Sequence, residues 1–279
     1  MESVLHKIRF MQKDMGPAEK KICDYLLKNT NDIIGISISE LAARCGCGDA
    51  TVVRFSRRLG FDGYQSLKIG IAGEINSTSS VGGEINRSDS CFEIFKKRIN
   101  DISVSLQNTE SVLNAENLEK AAKKIMAAQR VVIFGLGNSA AIANDAAHKF
   151  LRLGRDAQAC CDNHLQAIIA SHLNKNCVAV GITHSGSSKD IVEAMQLAKM
   201  SGAATVCITN FGQSPIVDNS DIALFTKSDE TQHSILAMSS RIAQLAIFDA
   251  IYTYIVVNSD KAAVQAIYNT EVALQNKKY

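Results

Sequence analysis

The sequence predicts an all-α helix-turn-helix domain followed by an α/β domain, a parallel sheet with helices on both faces. Three observations carry this. Residues 1–75 read as helix throughout. Within them, Ser37–Phe61 (SISELAARCGCGDATVVRFSRRLGF) has two short helical segments separated by glycines, the spacing of a helix-turn-helix. Later in the chain, apolar strand-like runs alternate with helical stretches of 10 to 15 residues, the signature of βαβ units. The 279 residues leave room for about two domains, and 46% hydrophobic content suffices for packed cores.

Pro17 suits the first turn of a helix running to about Asn29, with Ile22, Tyr25 and Leu26 at helical spacing and Asn29 a polar lapse. Ser39 is expected to begin the next helix, which carries Leu41 and Ala42. Gly46 and Gly48 break it, and another starts at Asp49 or Ala50. Residues 76–90 (NSTSSVGGEINRSDS) are rich in Ser, Gly and Asn and suit a flexible linker. That sets the domains at 1–75 and 91–279. Helices are expected over Cys91–Val112 and Asn117–Ala128. The run VVIFGLG follows, then a helix through Leu153 and a short strand near Ala157–Cys161. A helix from about His164 to Leu173 precedes CVAVGIT, and Lys189–Met200 is helical. TVCIT and IALFT read as strands, and two long helices close the chain.

Net charge is only +2, so a DNA-binding surface has to be local. The eight cysteines include no CxxC pair, and Cys45-Gly-Cys47 and Cys160-Cys161 are too tightly spaced for a zinc pattern. Reduced thiols and no metal are expected, with Cys177 and Cys207 behaving as small core hydrophobes. No signal-peptide pattern and no run of about 18 apolar residues is apparent. The expectation is a cytoplasmic chain with no membrane partner.

Taken as a helix, Asp49–Gly60 places Val52, Phe55 and Leu59 on one stripe toward the core. Thr51, Arg54, Arg57 and Arg58 then lie mostly on the other side. A recognition helix has this arrangement, its N-terminal residues reaching base edges while later cations meet phosphates. Arg54 is the candidate base contact, since bidentate Arg to guanine is the commonest specific pairing. Thr51 suits a phosphate or a thymine methyl. Arg57, Arg58 and Lys68 are candidate positioning contacts, and Asp49 at the helix start completes the DNA-facing set. The bland alternative is a solvated basic face on a small helical bundle.

Two loops suit an anion. GLGNS (Gly135–Ser139) begins like a dinucleotide fingerprint but has Ala140 in its last position, and Asp162 stands where a ribose-binding acid would be. THSGSSKD (Thr183–Asp190) offers Thr183, Ser185, Ser187 and Ser188 around Gly186, again between strand and helix. Hydroxyls and amides at a helix N-terminus favour negative charge, and two such loops on neighbouring strands converge on one crevice. A single phosphate on a compact polar body fits better than a dinucleotide. The alternative is that these serines are N-caps.

With both segments in view, the chain resembles the RpiR family of bacterial regulators, which join a helix-turn-helix to a sugar isomerase (SIS) domain. SISELAARCG, ATVVRFSRRLGF and YQSLKI carry the likeness in one half. GLGNSAAIANDAAHKFLRLG, THSGSSKDIVEAMQLAK and MSSRIAQLAIFDAIY carry it in the other. The resemblance implies a phosphosugar held by Ser139, with Gly137 and Asn138 of its loop, and by Thr183, His184, Ser185, Gly186, Ser187 and Ser188. Glu230 and Arg241 sit at family-typical places near the pocket. Gly48 replaces the usual Ser or Thr cap before the recognition helix, and Cys47 stands where Val is common.

The resemblance implies a regulator rather than an enzyme, with no cofactor. Its expected form is a repressor of a sugar or amino-sugar catabolic operon, a homodimer or homotetramer on palindromic operator DNA, controlled by a phosphosugar effector. The alternative is a phosphosugar isomerase or lyase with an appended DNA-binding domain. Isomerisation needs a general base, for which Glu230, His233, His184 and His148 are the candidates.

Overall fold

The computed structural model describes residues 4–30, 32–72, 85–228, 238–259 and 261–277. Five helices make the first unit: α1 (Val4–Met11), α2 (Pro17–Lys28), α3 (Ile38–Cys45), α4 (Asp49–Arg58) and α5 (Tyr64–Ala72). Pro17 occupies the first helical position of α2, and the Glu19 carboxylate accepts from the Gly16 amide at 3.1 Å. Ser37, not Ser39, caps α3, its hydroxyl accepting from Glu40 N at 3.1 Å. The Ser39 hydroxyl instead donates to Asp49 at 2.7 Å. Ile8, Ile22, Leu26, Leu41, Val52, Phe55 and Leu67 are fully buried together, one apolar stripe from each helix.

Most of the proposed linker lies outside the described residues. Its last residue, Ser90, caps the long helix α6 (Cys91–Val112) in a reciprocal pair with Glu93. Helix α7 (Ala115–Ala127) starts two residues before the expected Asn117, because Asn114 accepts from the Asn117 amide at 2.9 Å and so serves as its cap.

Five parallel strands follow: β1 (Arg130–Gly135), β2 (Asp156–Cys160), β3 (Cys177–Ile182), β4 (Ala204–Asn210) and β5 (Ile222–Thr226). Helices α8 (Asn138–Arg152), α9 (Asn163–Ser171) and α10 (Lys189–Met200) make the crossovers, with the short α11 (Pro215–Asp218) before β5. The strand order is β2-β1-β3-β4-β5. β1 thus pairs on one side with β2 and on the other with β3, and the crossovers from these two central strands leave in opposite directions. A crevice opens at such a switch point, outside the carboxyl ends of the strands. GLGNS follows β1 and THSGSSKD follows β3, so the topology brings both loops to that crevice.

The sheet is buried on both faces. Val131, Ile133, Phe150, Phe248 and Ile251 belong to one core, and Val132, Phe134, Ala179, Cys207 and Met195 to the other. Cys177 and Cys207 are buried, and burial pushes the Cys207 thiol up to about 11. Two helices end the chain, α12 (Met238–Asn258) and α13 (Lys261–Leu274). By length and mean composition alone α12 would reach across a bilayer, although it holds no uninterrupted run of about 18 apolar residues. Its apolarity has a local cause: Ala243, Ile247, Phe248, Ile251 and Ile255 pack into the core over the sheet.

The helical unit docks on the α/β unit through polar contacts. The Ser37 hydroxyl donates to Gln213 O at 2.6 Å, the Asn210 amide to Gly35 O at 3.1 Å, and Gln213 N to the Glu40 carboxylate at 2.9 Å.

Candidate functional site

Helices α3 and α4 form a helix-turn-helix. Gly46 ends α3 with φ +61°, and its amide and that of Cys47 return to Ala43 O and Ala42 O. Only glycine enters that left-handed conformation without steric cost. Gly48 precedes α4 and caps it with no side chain. Asp49 in the first turn offsets this through the helix dipole and ties α4 to α3 through Ser39.

Val52, Phe55 and Leu59 are buried, while Arg54, Arg57 and Arg58 are exposed and Thr51 is half-buried. Arg54 reaches back to the Thr51 hydroxyl at 3.4 Å, so both sit together near the N-terminal end of α4. Arg57 donates to Asp62 O at 3.3 Å. Arg58 pairs with Glu19 at 2.7 Å, bracing α4 against α2. Lys68 is apart from this surface: it is 6% exposed, donates to Ile36 O at 3.0 Å and lines a cavity shared with the α/β unit.

That cavity, about 470 Å³, lies at the switch point. Its α/β wall includes Leu136, Asn138, Ser139, Thr183, His184, Ser185, Ser187, Ser188, Arg241 and Gln244. Gly135 lets the first loop turn tightly, since a Cβ there would sit 2.6 Å from Ser139 O. Gly137 has φ +55° just before α8. Gly186 shapes the second loop without lining the cavity: φ is +66°, and a Cβ would sit 2.2 Å from the Ser214 hydroxyl.

The Ser188 hydroxyl caps nothing, although Ser188 holds the N-cap position of α10. It lies 2.8 Å from the Thr183 hydroxyl. Ser185 accepts from Ser187 N at 3.3 Å. His184 Nδ1 lies 2.9 Å from the Ser240 hydroxyl on α12. Thus the serines face an open cavity at the N-terminal ends of α8 and α10. Lys68 and Arg241 add two cations, and none of the described lining residues is acidic. This arrangement has the chemistry to suit an anion carrying hydroxyl groups.

Glu230 and His233 lie outside the described residues. His148 is exposed on α8 and does not line the cavity. Asp162 caps α9, accepting from Leu165 N at 2.9 Å, so the acid that suggested a ribose site has a local structural task. The sequence reading missed Gln244, which is 1% exposed with an Oε1 that meets no hydrogen-bond donor among the described residues. A glutamine on the buried face of an apolar helix was the available signal. It also missed Ser37, Tyr64 and Gln65 as lining residues, because they come from the helical unit and only tertiary docking places them there.

A helix-turn-helix unit joined to a phosphosugar-type α/β fold defines a class of transcriptional regulator. The chain belongs to the RpiR family. A helix-turn-helix domain of the rpiR family matches residues 2–78, and a SIS domain matches residues 124–254. The chain is 38% identical to the HTH-type transcriptional regulator TTE0211 of Caldanaerobacter subterraneus over 100% of this chain and 99% of that one. It is 30% identical to the HTH-type transcriptional regulator YbbH of Bacillus subtilis, covering 96% of each. Among solved structures, the Vibrio vulnificus NanR protein complexed with ManNAc-6P superposes with a TM-score of 0.85 at 22% identity, covering 99% of both chains. The sugar isomerase domain of an RpiR transcription factor from Sphaerobacter thermophilus matches 62% of this chain with a TM-score of 0.56. The protein is a transcriptional regulator with DNA-binding and SIS domains.

Proposed function

We propose that this regulator is a repressor of a sugar or amino-sugar catabolic operon, and that a phosphosugar in the SIS cavity controls its affinity for operator DNA. The observation that carries this is the cavity at the β1/β3 switch point, with hydroxyl-bearing loops, two helix N-termini, two cations and no described acid. The phosphate sits among Ser139, Ser185 and Ser188, and sugar hydroxyls meet His184 and Gln244. The full-length likeness to a regulator complexed with ManNAc-6P supports the ligand class.

Arg54 and Thr51 read bases, and Arg57 and Arg58 position the helix on phosphates, with Asp49 fixing its start. Two copies pair through the sugar-binding units, as a dimer or a dimer of dimers. They present two recognition helices to half-sites of a palindromic operator roughly 34–36 Å apart. The sugar shifts the balance between DNA-competent and DNA-incompetent arrangements by its differential affinity for the two.

The regulator is not an enzyme in this reading: its full-length relatives are transcriptional regulators, and His184 orients ligand hydroxyls. The test is a calorimetric screen of hexose and amino-sugar 6-phosphates, run beside a turnover assay. Binding without isomerisation supports the proposal. Turnover supports an isomerase or lyase with an appended DNA-binding domain, and absence of binding rejects the ligand class.

A further inference from the structure

We infer that the loop after β4, residues 210–214, is the coupling element of this regulator: it carries the position of the second serine loop to α3, and so to the recognition helix. The inference deepens the reading of the cavity as a phosphosugar site that controls DNA affinity, and it rests on that reading. On one side the serine loop grips this segment. The Asn210 amide donates to His184 O at 3.1 Å, the Thr209 hydroxyl to the same carbonyl at 3.3 Å, and the Ile216 amide to Gly186 O at 3.0 Å. Packing there leaves no slack: a Cβ on Gly186 would come within 2.4 Å of Ser214 Cβ and 3.0 Å of Thr209 Oγ1. Close-packed contacts of this kind transmit displacement rather than absorb it.

On its other side the same loop holds the helical unit. The Asn210 side-chain amide donates to Gly35 O at 3.1 Å, Gln213 N donates to the Glu40 carboxylate at 2.9 Å, and Gln213 O accepts from the Ser37 hydroxyl at 2.6 Å. Asn210 therefore takes hold of both units at once, His184 through its main chain and Gly35 through its side chain. Its Oδ1 accepts from Ser228 N at 3.2 Å, which fixes the orientation of the amide. Flipped, it would set oxygen against the Gly35 carbonyl and nitrogen against the Ser228 N–H. Both Gln213 contacts use the main chain, while the residue is exposed, so they follow the path of the loop itself. Gly35 and Ser37 precede α3, and Glu40 lies in its first turn. Ser39 of that turn holds Asp49, at the start of α4, at 2.7 Å.

The two units have two arrangements available, docked through these bonds or released, because polar contacts between domains permit relative motion. A guest among Ser185 and Ser188 that prefers one position of the serine loop shifts this equilibrium by its differential affinity. The recognition helix follows through its anchor on α3, and the guest need not touch the helical unit.

The experiment uses the full chain. Asn210→Asp keeps the acceptor for Ser228 N and removes the donor to Gly35. Glu40→Ala removes the acceptor for Gln213 N, and Glu40→Gln keeps an oxygen there. Fluorescence anisotropy measures operator affinity with and without the tightest member of a panel of hexose and amino-sugar 6-phosphates, and calorimetry confirms that each variant still binds the sugar phosphate. Asn210→Asp and Glu40→Ala are each expected to reduce the ratio of the two DNA affinities about 2- to 10-fold toward unity, the worth of one hydrogen bond. Their combination is expected to abolish the response, and Glu40→Gln to retain most of it. In DNA-free wild type, the same sugar phosphate is expected to change amide exchange at 210–214 and 35–41 as well as at 183–188. This second readout decides the matter if a variant fails to fold or to bind the sugar phosphate. A full response in the folded double variant, or exchange altered at 183–188 alone, overturns the coupling role of the loop and leaves the phosphosugar reading standing. A wild-type ratio of unity with the cavity filled ends both.

Discussion

His184 Nδ1 lies 2.9 Å from the hydroxyl of Ser240, joining the loop after β3 to the buried face of α12. Ser240 is itself fully buried and lies 3.5 Å from both the Gln244 amide and the Thr226 hydroxyl. One small network thus sets the imidazole, the amide and the second serine loop around a common space. Ser240→Ala releases the ring while leaving the loop backbone in place. The expected loss in phosphosugar binding is about 0.5–1.5 kcal/mol, the net worth of one hydrogen bond. Calorimetry measures it, and ligand-free operator binding is expected to stay unchanged.

Gly186 makes a sharper test of the cavity's shape. Alanine there meets the Ser214 hydroxyl at 2.2 Å from a backbone at φ +66°. Left-handed strain costs about 1–2 kcal/mol and overpacking about 1–3 kcal/mol more. Gly186→Ala is expected to lower the thermal midpoint of the chain and to abolish detectable phosphosugar binding. A variant of wild-type stability and affinity would mean that the loop has room to relax.

On the DNA side, the substitutions separate by role. Arg54→Ala is expected to cost about 1–3 kcal/mol at the specific site and to relax the preference at one base position. Arg57→Ala is expected to weaken all DNA sequences alike and to reduce the salt slope by about 1. Electrophoretic titrations at several salt concentrations distinguish the two, and neither substitution should alter phosphosugar affinity.

Arg58 has a different expected signature because it pairs with Glu19 at 2.7 Å. The pair is partly exposed, and such pairs contribute about 0–1 kcal/mol. Arg58→Ala is therefore expected to lower stability only slightly in urea unfolding, with any larger effect appearing in DNA affinity alone. Phe55→Ala gives the contrast: it empties a fully buried position and is expected to cost about 3–5 kcal/mol.

The strand and helix pattern of the α/β unit was legible because its signals are local. Apolar runs made the buried inner strands β1, β3 and β4, and helices Cys91–Val112 and Lys189–Met200 came out at their expected bounds. The stripe of Val52, Phe55 and Leu59 was equally readable from spacing. Caps were less so: Ser37 and Ser39 are chemically the same and two residues apart, and the available signal was Glu40 three residues after Ser37, whose amide the Ser37 hydroxyl accepts from. The site divided along the same line. Serines at strand-to-helix turns announced themselves, whereas Lys68, Tyr64 and Gln65 reach the cavity through packing between units far apart in sequence. Lys68 read as a phosphate contact from charge alone, because its burial is a tertiary fact.

The central claim is that a sugar phosphate and operator DNA compete or cooperate through one chain. The most direct measurement is a fluorescence anisotropy titration of the full-length protein against operator DNA selected from random duplexes, with and without a saturating phosphosugar identified by calorimetry. The account predicts a shift in DNA affinity of about 5- to 150-fold, the range of ordinary coupling free energies. Superimposable DNA titrations, with the cavity shown to be full, would contradict it.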